Sequence, residues 1–157
     1  MATSPLSEMA PFNVDHRLMS VLLVDDDESL VDMSSVFLER EIDNIETTTL
    51  TDPEAVLDEV DEGNYDCIVS DFDMPRLDGL ELLTKLREDG VEIPFVLFTG
   101  KGSEEIASQA ISAGVDAYLQ KGGTEEYPVL ANPLENLVEK YRAEPQVPRR
   151  FLAIESA

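Results

Sequence analysis

A run of three carboxylates, Asp25-Asp26-Asp27, two more at Asp71 and Asp73, the hydroxyl of Thr99 and the ammonium of Lys121 are the groups in this chain whose types suit joint chemistry. Carboxylates brought together repel one another, by about 1 kcal/mol per pair at 4 Å in water and by more where water is scarce, so such a cluster calls for a cation. Lysine alone cannot neutralise it. A hard divalent ion held by a few carboxylates, with water or phosphate oxygens filling an octahedron, describes Mg2+ better than a caged Ca2+. A calcium loop does not match, because "DFDMPRLDG" puts Pro75 and Arg76 where that loop requires a ligand and a glycine. With Mg2+ present, one carboxylate can act as nucleophile on a phosphoryl group while Thr99 and Lys121 bind the phosphoryl oxygens. Asp71, between the apolar run "CIVS" and the start of a helix, has the best context for that role.

These groups lie far apart in the chain, so the elements between them must bring them together. From Val21 the pattern is regular: "VLLVD" is a short apolar run, and "ESLVDMSSVFLEREI" places Leu30, Val31, Met33, Val36, Phe37 and Leu38 mostly along one helical stripe. "NIETTTL" is β-branched, and "DPEAVLDEVDEG" carries an Asp52 N-cap, Pro53 at the first helical position and a Gly63 stop. Three further pairs follow: "DCIVS" with "GLELLTKLRED", "IPFVLFTG" with "SEEIASQAISAG", and "DAYLQ" with the segment after Thr124. Five strands alternating with five helices, the strands lacking polar alternation, predict an α/β fold: a parallel, doubly wound sheet covered on both faces with right-handed crossovers. Pro128 and Pro133 predict a broken start to the last helix, which runs cleanly only from Asn132-Pro133 through "LENLVEKYRA". In an open parallel sheet functional groups gather at the carboxyl edge. The first strand ends in Asp25 to Asp27, the third in Asp71 and the fourth in Thr99-Gly100, and Lys121 follows the fifth, so all of them are expected at one edge.

The motifs "VLLVDDDE", "IVSDFDMPRLDG", "VLFTG" and "AYLQK", in that order, resemble the receiver (CheY-like) domain of two-component response regulators over about Ser20 to Arg142. The spacings agree as well: Asp26 to Asp71 is 45 residues, Asp71 to Thr99 is 28 and Thr99 to Lys121 is 22. The resemblance implies strand order 2-1-3-4-5, Asp71 as phosphoacceptor, Asp25 and Asp26 as the acidic pair with Asp26 a direct Mg2+ ligand, and Asp73 coordinating through its backbone carbonyl. It also implies that Thr99 bonds the phosphoryl group, that Lys121 pairs with it, and that Tyr118 is an aromatic switch residue whose packing changes as Thr99 is drawn inward. The implied donor is a histidine kinase or phosphotransfer protein. The implied output is a shifted equilibrium on the face of helix 4, strand 5 and helix 5, read by a downstream protein. Two departures stand out. Lys121 is followed by Gly122-Gly123 where the family commonly has proline, and Asp73 and Lys101 occupy positions that tune acyl-phosphate lifetime, here implying an intermediate one. The wording "FTGKGSEE" and "YLQKGG" is most similar to receivers of haloarchaea.

Composition bounds the rest. The chain suits one domain at 19–143, with a disordered arm at 1–18 and a tail at 144–157, and Met19 is an alternative start. With 34 acidic residues against 11 basic ones the formal charge is -23, which repels duplex DNA and anionic membranes and implies no nucleic-acid partner. Such self-repulsion is screened by multimolar salt, so a halophilic, archaeal cytoplasm fits; an acidic mesophilic protein has the same composition. No apolar run approaches the roughly 18 residues of a membrane helix, and no leader pattern opens the chain, so a cytoplasmic protein is expected. The single cysteine, Cys67, permits no internal disulfide, and the single histidine, His16, falls in the arm. Ser-His-Asp catalysis and structural zinc are thereby excluded.

Three other readings conflict with particular residues. "TGKGS" is not a phosphate loop, because Phe95 stands at its first glycine and Gly102 after its lysine. "IVSDFD" also resembles the nucleophile segment of haloacid-dehalogenase-like phosphohydrolases, but Pro75 follows where Thr or Val is wanted, and the acidic pair lies upstream instead of downstream. A pseudo-receiver acting only as an interaction module conflicts with the complete acidic set. The expected protein is thus a signalling switch that catalyses only its own phosphorylation and dephosphorylation.

Overall fold

The run MSVLLV forms strand β1 (Met19–Val24), buried at every position but Ser20, as a strand covered on both faces must be. The computed structural model describes residues 17–62, 65–100, 103–121 and 126–143. After β1 come α1 (Glu28–Glu41), β2 (Ile45–Leu50), a 3-10 turn (Pro53–Ala55) leading into α2 (Val56–Glu62), β3 (Cys67–Ser70) and α3 (Gly79–Glu88). The chain continues with β4 (Phe95–Thr99), α4 (Glu104–Ala113), β5 (Ala117–Gln120) and α5 (Glu126–Ala143). All strand pairs are parallel, in the order β2-β1-β3-β4-β5, which is the order expected. The chain leaves β1 in one direction to β2 and returns to its other side at β3, so the crevice where the order reverses opens above β1 and β3.

Alternate strand residues serve the two faces. Val21, Leu23, Val69, Val96 and Phe98 pack with Val31 and Leu38 of α1 and Leu130, Leu134 and Val138 of α5. Leu22, Val24, Ile68, Phe95 and Leu97 pack with α2, α3 and α4 through Val56, Leu82, Leu83, Leu86 and Ala110. Cys67 is fully buried, and burial pushes its thiol pKa up, away from reactivity. Helix starts are set by short acidic or hydroxyl caps: Asp27 accepts from the Leu30 amide at 3.2 Å, Asp52 from Glu54 at 3.0 Å and Ser103 from Ile106 at 3.1 Å. Asp78 and Glu81 form a reciprocal capping box at the start of α3.

Two expectations are corrected. In α1 the buried positions are Val31, Ser34 and Leu38, while Leu30, Met33 and Val36 stand 36%, 54% and 57% exposed and Phe37 is half-buried. The sheet and α5 take only a narrow i, i+3, i+7 stripe of this helix, and the other apolar side chains fall outside it. The last helix is continuous from Glu126 and passes through Pro133 instead of starting at Asn132. An interior proline costs about 3 kcal/mol. Leu130, Leu134 and Val138 keep the buried stripe in phase across it, and each contributes about 1.5–3 kcal/mol. At the opposite edge of the sheet from the crevice, Arg142 of α5 donates to the Leu18 carbonyl and to Asp66, both at 2.8 Å. Asp66 in turn accepts from the Ser20 amide at 2.9 Å, so the end of α5 is fastened to the start of β1. His16, Lys101, Gly122, Gly123 and the segments 1–16 and 144–157 lie outside the described residues, as does the Gly63 stop.

Candidate functional site

The ends of β1, β3, β4 and β5 deliver groups to the crevice. The Asp25 amide donates to the Leu50 carbonyl at 3.1 Å and the Asp71 amide to the Val24 carbonyl at 3.0 Å, so the sheet ladder itself holds the ends of β1 and β3 side by side. Carboxylate oxygens of Asp25, Asp26 and Asp71 come within 4.8 Å of one another. Asp25 is buried, Asp26 exposed and Asp71 half-buried. Asp27, third of the acidic run, is not part of that cluster: it caps α1, and its amide donates to Asp25 at 3.0 Å, which orients the buried carboxylate. The acidic run thus splits between capping and the cluster.

From the other side, the Lys121 ammonium lies 3.0 Å from Asp25 and 5.5 Å from the centre of the Phe98 ring, both side chains of the ion pair being mostly buried. Its amide donates to the Thr99 carbonyl at 2.9 Å, tying the end of β5 to that of β4. Thr99 is fully buried, and its hydroxyl hydrogen-bonds Asp71. Burial raises the pKa of Asp71; Lys121 opposes the rise, Asp25 adds to it, and the bonds from Thr99 and the Phe72 backbone oppose it. Asp73, Gly100 and Leu30 complete the rim of an open cleft of about 290 Å³ over these groups. Behind Asp25 and Asp71 a pocket of about 20 Å³ reaches inward between Ser34, Ser70 and Leu130, space for a single water.

All the side chains singled out by type and spacing, Asp25, Asp26, Asp71, Asp73, Thr99 and Lys121, therefore border one cleft. Tyr118 sits away from that cleft, packed against the second core cluster with its hydroxyl buried and, among the described residues, without a hydrogen-bond partner. Sequence reasoning missed three supports. Gly79 lies so close beneath Asp71 that a Cβ would run into the Asp71 carbonyl and come within 2.7 Å of Leu97. Met74 and Leu77 are buried and peg the loop after Asp71, while Arg76 between them adopts φ +70° and is held by Asp52 at 3.0 Å and Glu54 at 3.3 Å. Phe98 supplies the ring under Lys121. The Asp-Gly pair at the helix start was the one legible signal among them; the others depend on distances that no local pattern encodes.

The model of the response regulator receiver domain matches residues 21–128. The chain belongs to that family. Among curated proteins, this receiver is 36% identical over 104 residues to the heme response regulator HssR of Staphylococcus epidermidis, an alignment covering 66% of this chain and 45% of that protein. It is 32% identical over 101 residues to the transcriptional regulatory protein SrrA of Staphylococcus aureus, covering 64% and 41%. The chain spans less than half the length of these relatives. The receiver domain of the Francisella response regulator 1452 superposes with a TM-score of 0.67 at 29% identity, covering 78% of this chain and 98% of that one. A CheY-like receiver domain protein from Methanospirillum hungatei gives 0.69 at 26%, covering 81% and 99%. Among the described residues, no helix of this receiver is long and apolar enough to cross a membrane.

Proposed function

We propose that this receiver accepts a phosphoryl group from a phosphohistidine of a kinase or phosphotransfer protein onto Asp71, in a Mg2+-dependent reaction, and that the change switches its contacts with a downstream protein. The observation that carries the reading is the convergence of three carboxylates and one lysine from three separate chain segments on a single open cleft. The donor set suits Mg2+: three carboxylates within 4.8 Å, one buried and one exposed, offer oxygen ligands on one side and leave the cleft side to water or phosphate. Asp25, Asp26 and Asp71, with the Asp73 backbone carbonyl, would hold the ion. When bound, it supplies positive charge beside the transferred phosphoryl oxygens.

The protein's own groups do the rest. An Asp71 carboxylate oxygen attacks phosphorus as the phosphorus–nitrogen bond of the donor breaks and the imidazole leaves. Lys121, preloaded beside Asp25, swings to the new dianionic group, and the Thr99 hydroxyl exchanges Asp71 for a phosphoryl oxygen. Thr99 ends β4 and Tyr118 lies on the paired strand β5, so movement of Thr99 is transmitted to the α4, β5 and α5 face, where the downstream partner binds. Asp73, exposed at the mouth, orients the hydrolytic water and with Lys101 sets an intermediate acyl-phosphate lifetime. Residues 19–143 form the functional unit, a signalling protein that turns over only its own phosphoryl group. Its acidic surface favours a cytoplasm rich in salt, the halophilic archaeal setting, and disfavours nucleic acid and membranes as partners.

Incubation with Mg2+ and a small phosphodonor, followed by intact mass, tests the reading. One phosphoryl addition to the wild-type chain, absent in Asp71→Ala and without Mg2+, is expected. Addition that persists in Asp71→Ala refutes Asp71 as the acceptor.

A further inference from the structure

Lys121 rests on more than its ion pair. Its ammonium has more N–H donors than the bond to Asp25 at 3.0 Å uses, and both side chains of the pair are mostly buried, so little water is left to serve the remaining charge. The centre of the Phe98 ring lies 5.5 Å from the ammonium nitrogen, inside the ~6 Å over which the negative face of an aromatic ring attracts a cation. Phe98, Lys121, Asp25 and Asp71 also border the inward pocket of about 20 Å³, so ring, ammonium and carboxylates share one small space. Among the described residues, Phe98 is the one buried aromatic side chain of its core cluster, whose other members are mostly aliphatic.

The position on β4 matters as much as the ring. Successive side chains of a strand point to opposite faces, so Phe98 turns to the ammonium while the hydroxyl of its neighbour Thr99 bonds Asp71. The Lys121 amide donates to the Thr99 carbonyl at 2.9 Å, which fixes the base of the lysine stem beside the same pair of residues. Phe98 lines the inward pocket but not the open cleft of about 290 Å³, and only the cleft has room for a phosphoryl group on Asp71. An ammonium that moves out to such a group therefore moves away from the ring.

We infer that Phe98 is a positioning residue: with Asp25 its ring holds Lys121 in a resting seat, which the lysine leaves when Asp71 carries a phosphoryl group. The stronger the seat, the more the unphosphorylated form is favoured, so a weaker ring makes the switch easier to throw. That consequence rests on Asp71 being the acceptor, whereas the seat itself does not.

Site-specific replacement of Phe98 by phenylalanines carrying one, two and three fluorines drains the negative face of the ring and keeps its shape. In chelator, the melting temperature of the full chain is expected to fall stepwise, by about 4 °C in all, a ~5-fold smaller folding constant. No such fall is expected for the same series at Phe95, which is fully buried on the same strand but packs on the opposite face, or for the Phe98 series in a Lys121→Met background. With Mg2+ present, beryllofluoride, a stand-in for the phosphoryl group, is expected to bind the trifluorinated Phe98 chain ~5-fold more tightly than wild type, the reverse of what damaged packing would produce. Matching melts for the two positions, or a fall that survives Lys121→Met, overturn the seat; should Lys121→Met not fold, the Phe95 comparison decides. Unchanged or weaker beryllofluoride binding overturns the ring's part in the switch. A wild-type chain that takes up no beryllofluoride refutes Asp71 as the acceptor instead, and the metal-free melts still decide the seat.

Discussion

Replacing Asp71 by asparagine keeps the shape of the side chain and removes one charge from a cluster whose oxygens lie within 4.8 Å. Two like charges at that separation cost about 0.9 kcal/mol at the permittivity of water and about 3.5 kcal/mol at an effective value of 20. Lys121, 3.0 Å from Asp25, favours the Asp71 carboxylate by more than Asp25 disfavours it, and Asp26 is exposed, so the repulsion left on Asp71 is at most the water figure, about 1 kcal/mol. Burial acts in the same direction and is the main reason the Asp71 pKa is raised. A carboxyl that holds its proton to higher pH in the folded state than in the unfolded one favours the fold at low pH, and that favour is lost as pH rises through the folded pKa. The Asp71→Asn variant has no such loss. In metal-free buffer of low ionic strength at about pH 7.5 it is therefore expected to be more stable than wild type by about 1 kcal/mol, some 4 °C in melting temperature for a domain of this size. The gap should narrow as pH falls toward the ordinary carboxyl range and should shrink in about 1 M salt, where the Debye length is about 3 Å. Urea and thermal melts in chelator across that pH range measure it. A variant less stable than wild type at neutral pH, or a gap independent of pH, refutes the account of the cluster as a self-repelling site awaiting a cation.

Mg2+ at about 100 times its dissociation constant should stabilise the wild-type chain by ~2.7 kcal/mol, and Asp26→Asn should lose most of that gain in the same melts. Gly79→Ala forces a Cβ into the Asp71 carbonyl and Leu97, so a destabilisation of about 1–3 kcal/mol is expected by urea unfolding, together with slower phosphorylation from a small donor. Tyr118→Phe removes a buried hydroxyl that has no partner among the described residues, and chemical denaturation should show the variant as stable as wild type or more stable, by up to about 1 kcal/mol. A loss of more than that would mean the hydroxyl is satisfied in solution.

Much of the fold was legible because buried parallel strands announce themselves as unbroken apolar runs and their helices by caps. Asp52 caps as the sequence reading expected, and Asp27 and Ser103, not read as caps, do the same at their own helix starts. The α1 stripe was misjudged for a physical reason: apolar residues at 30, 33 and 36 satisfy a helical period as well as the set Val31, Ser34 and Leu38, and only the partner surface decides which set is covered. Proline at 133 looked like a boundary because local cost is visible in a sequence, whereas the burial of Leu130, Leu134 and Val138 that outweighs it is not. The cluster residues were legible from strand ends, but the preloading of Lys121 on Asp25 was not, nor the ring of Phe98 beneath it.

The order of elements, the strand ends and the identity of the groups at one edge of the sheet were determined by the sequence alone, since they follow from local periodicity and from the directionality that a parallel sheet imposes. Tertiary structure decided which carboxylate is buried, where the lysine rests and which face of α1 is left bare. Those outcomes depend on distances between segments dozens of residues apart, set by packing that no local stretch encodes.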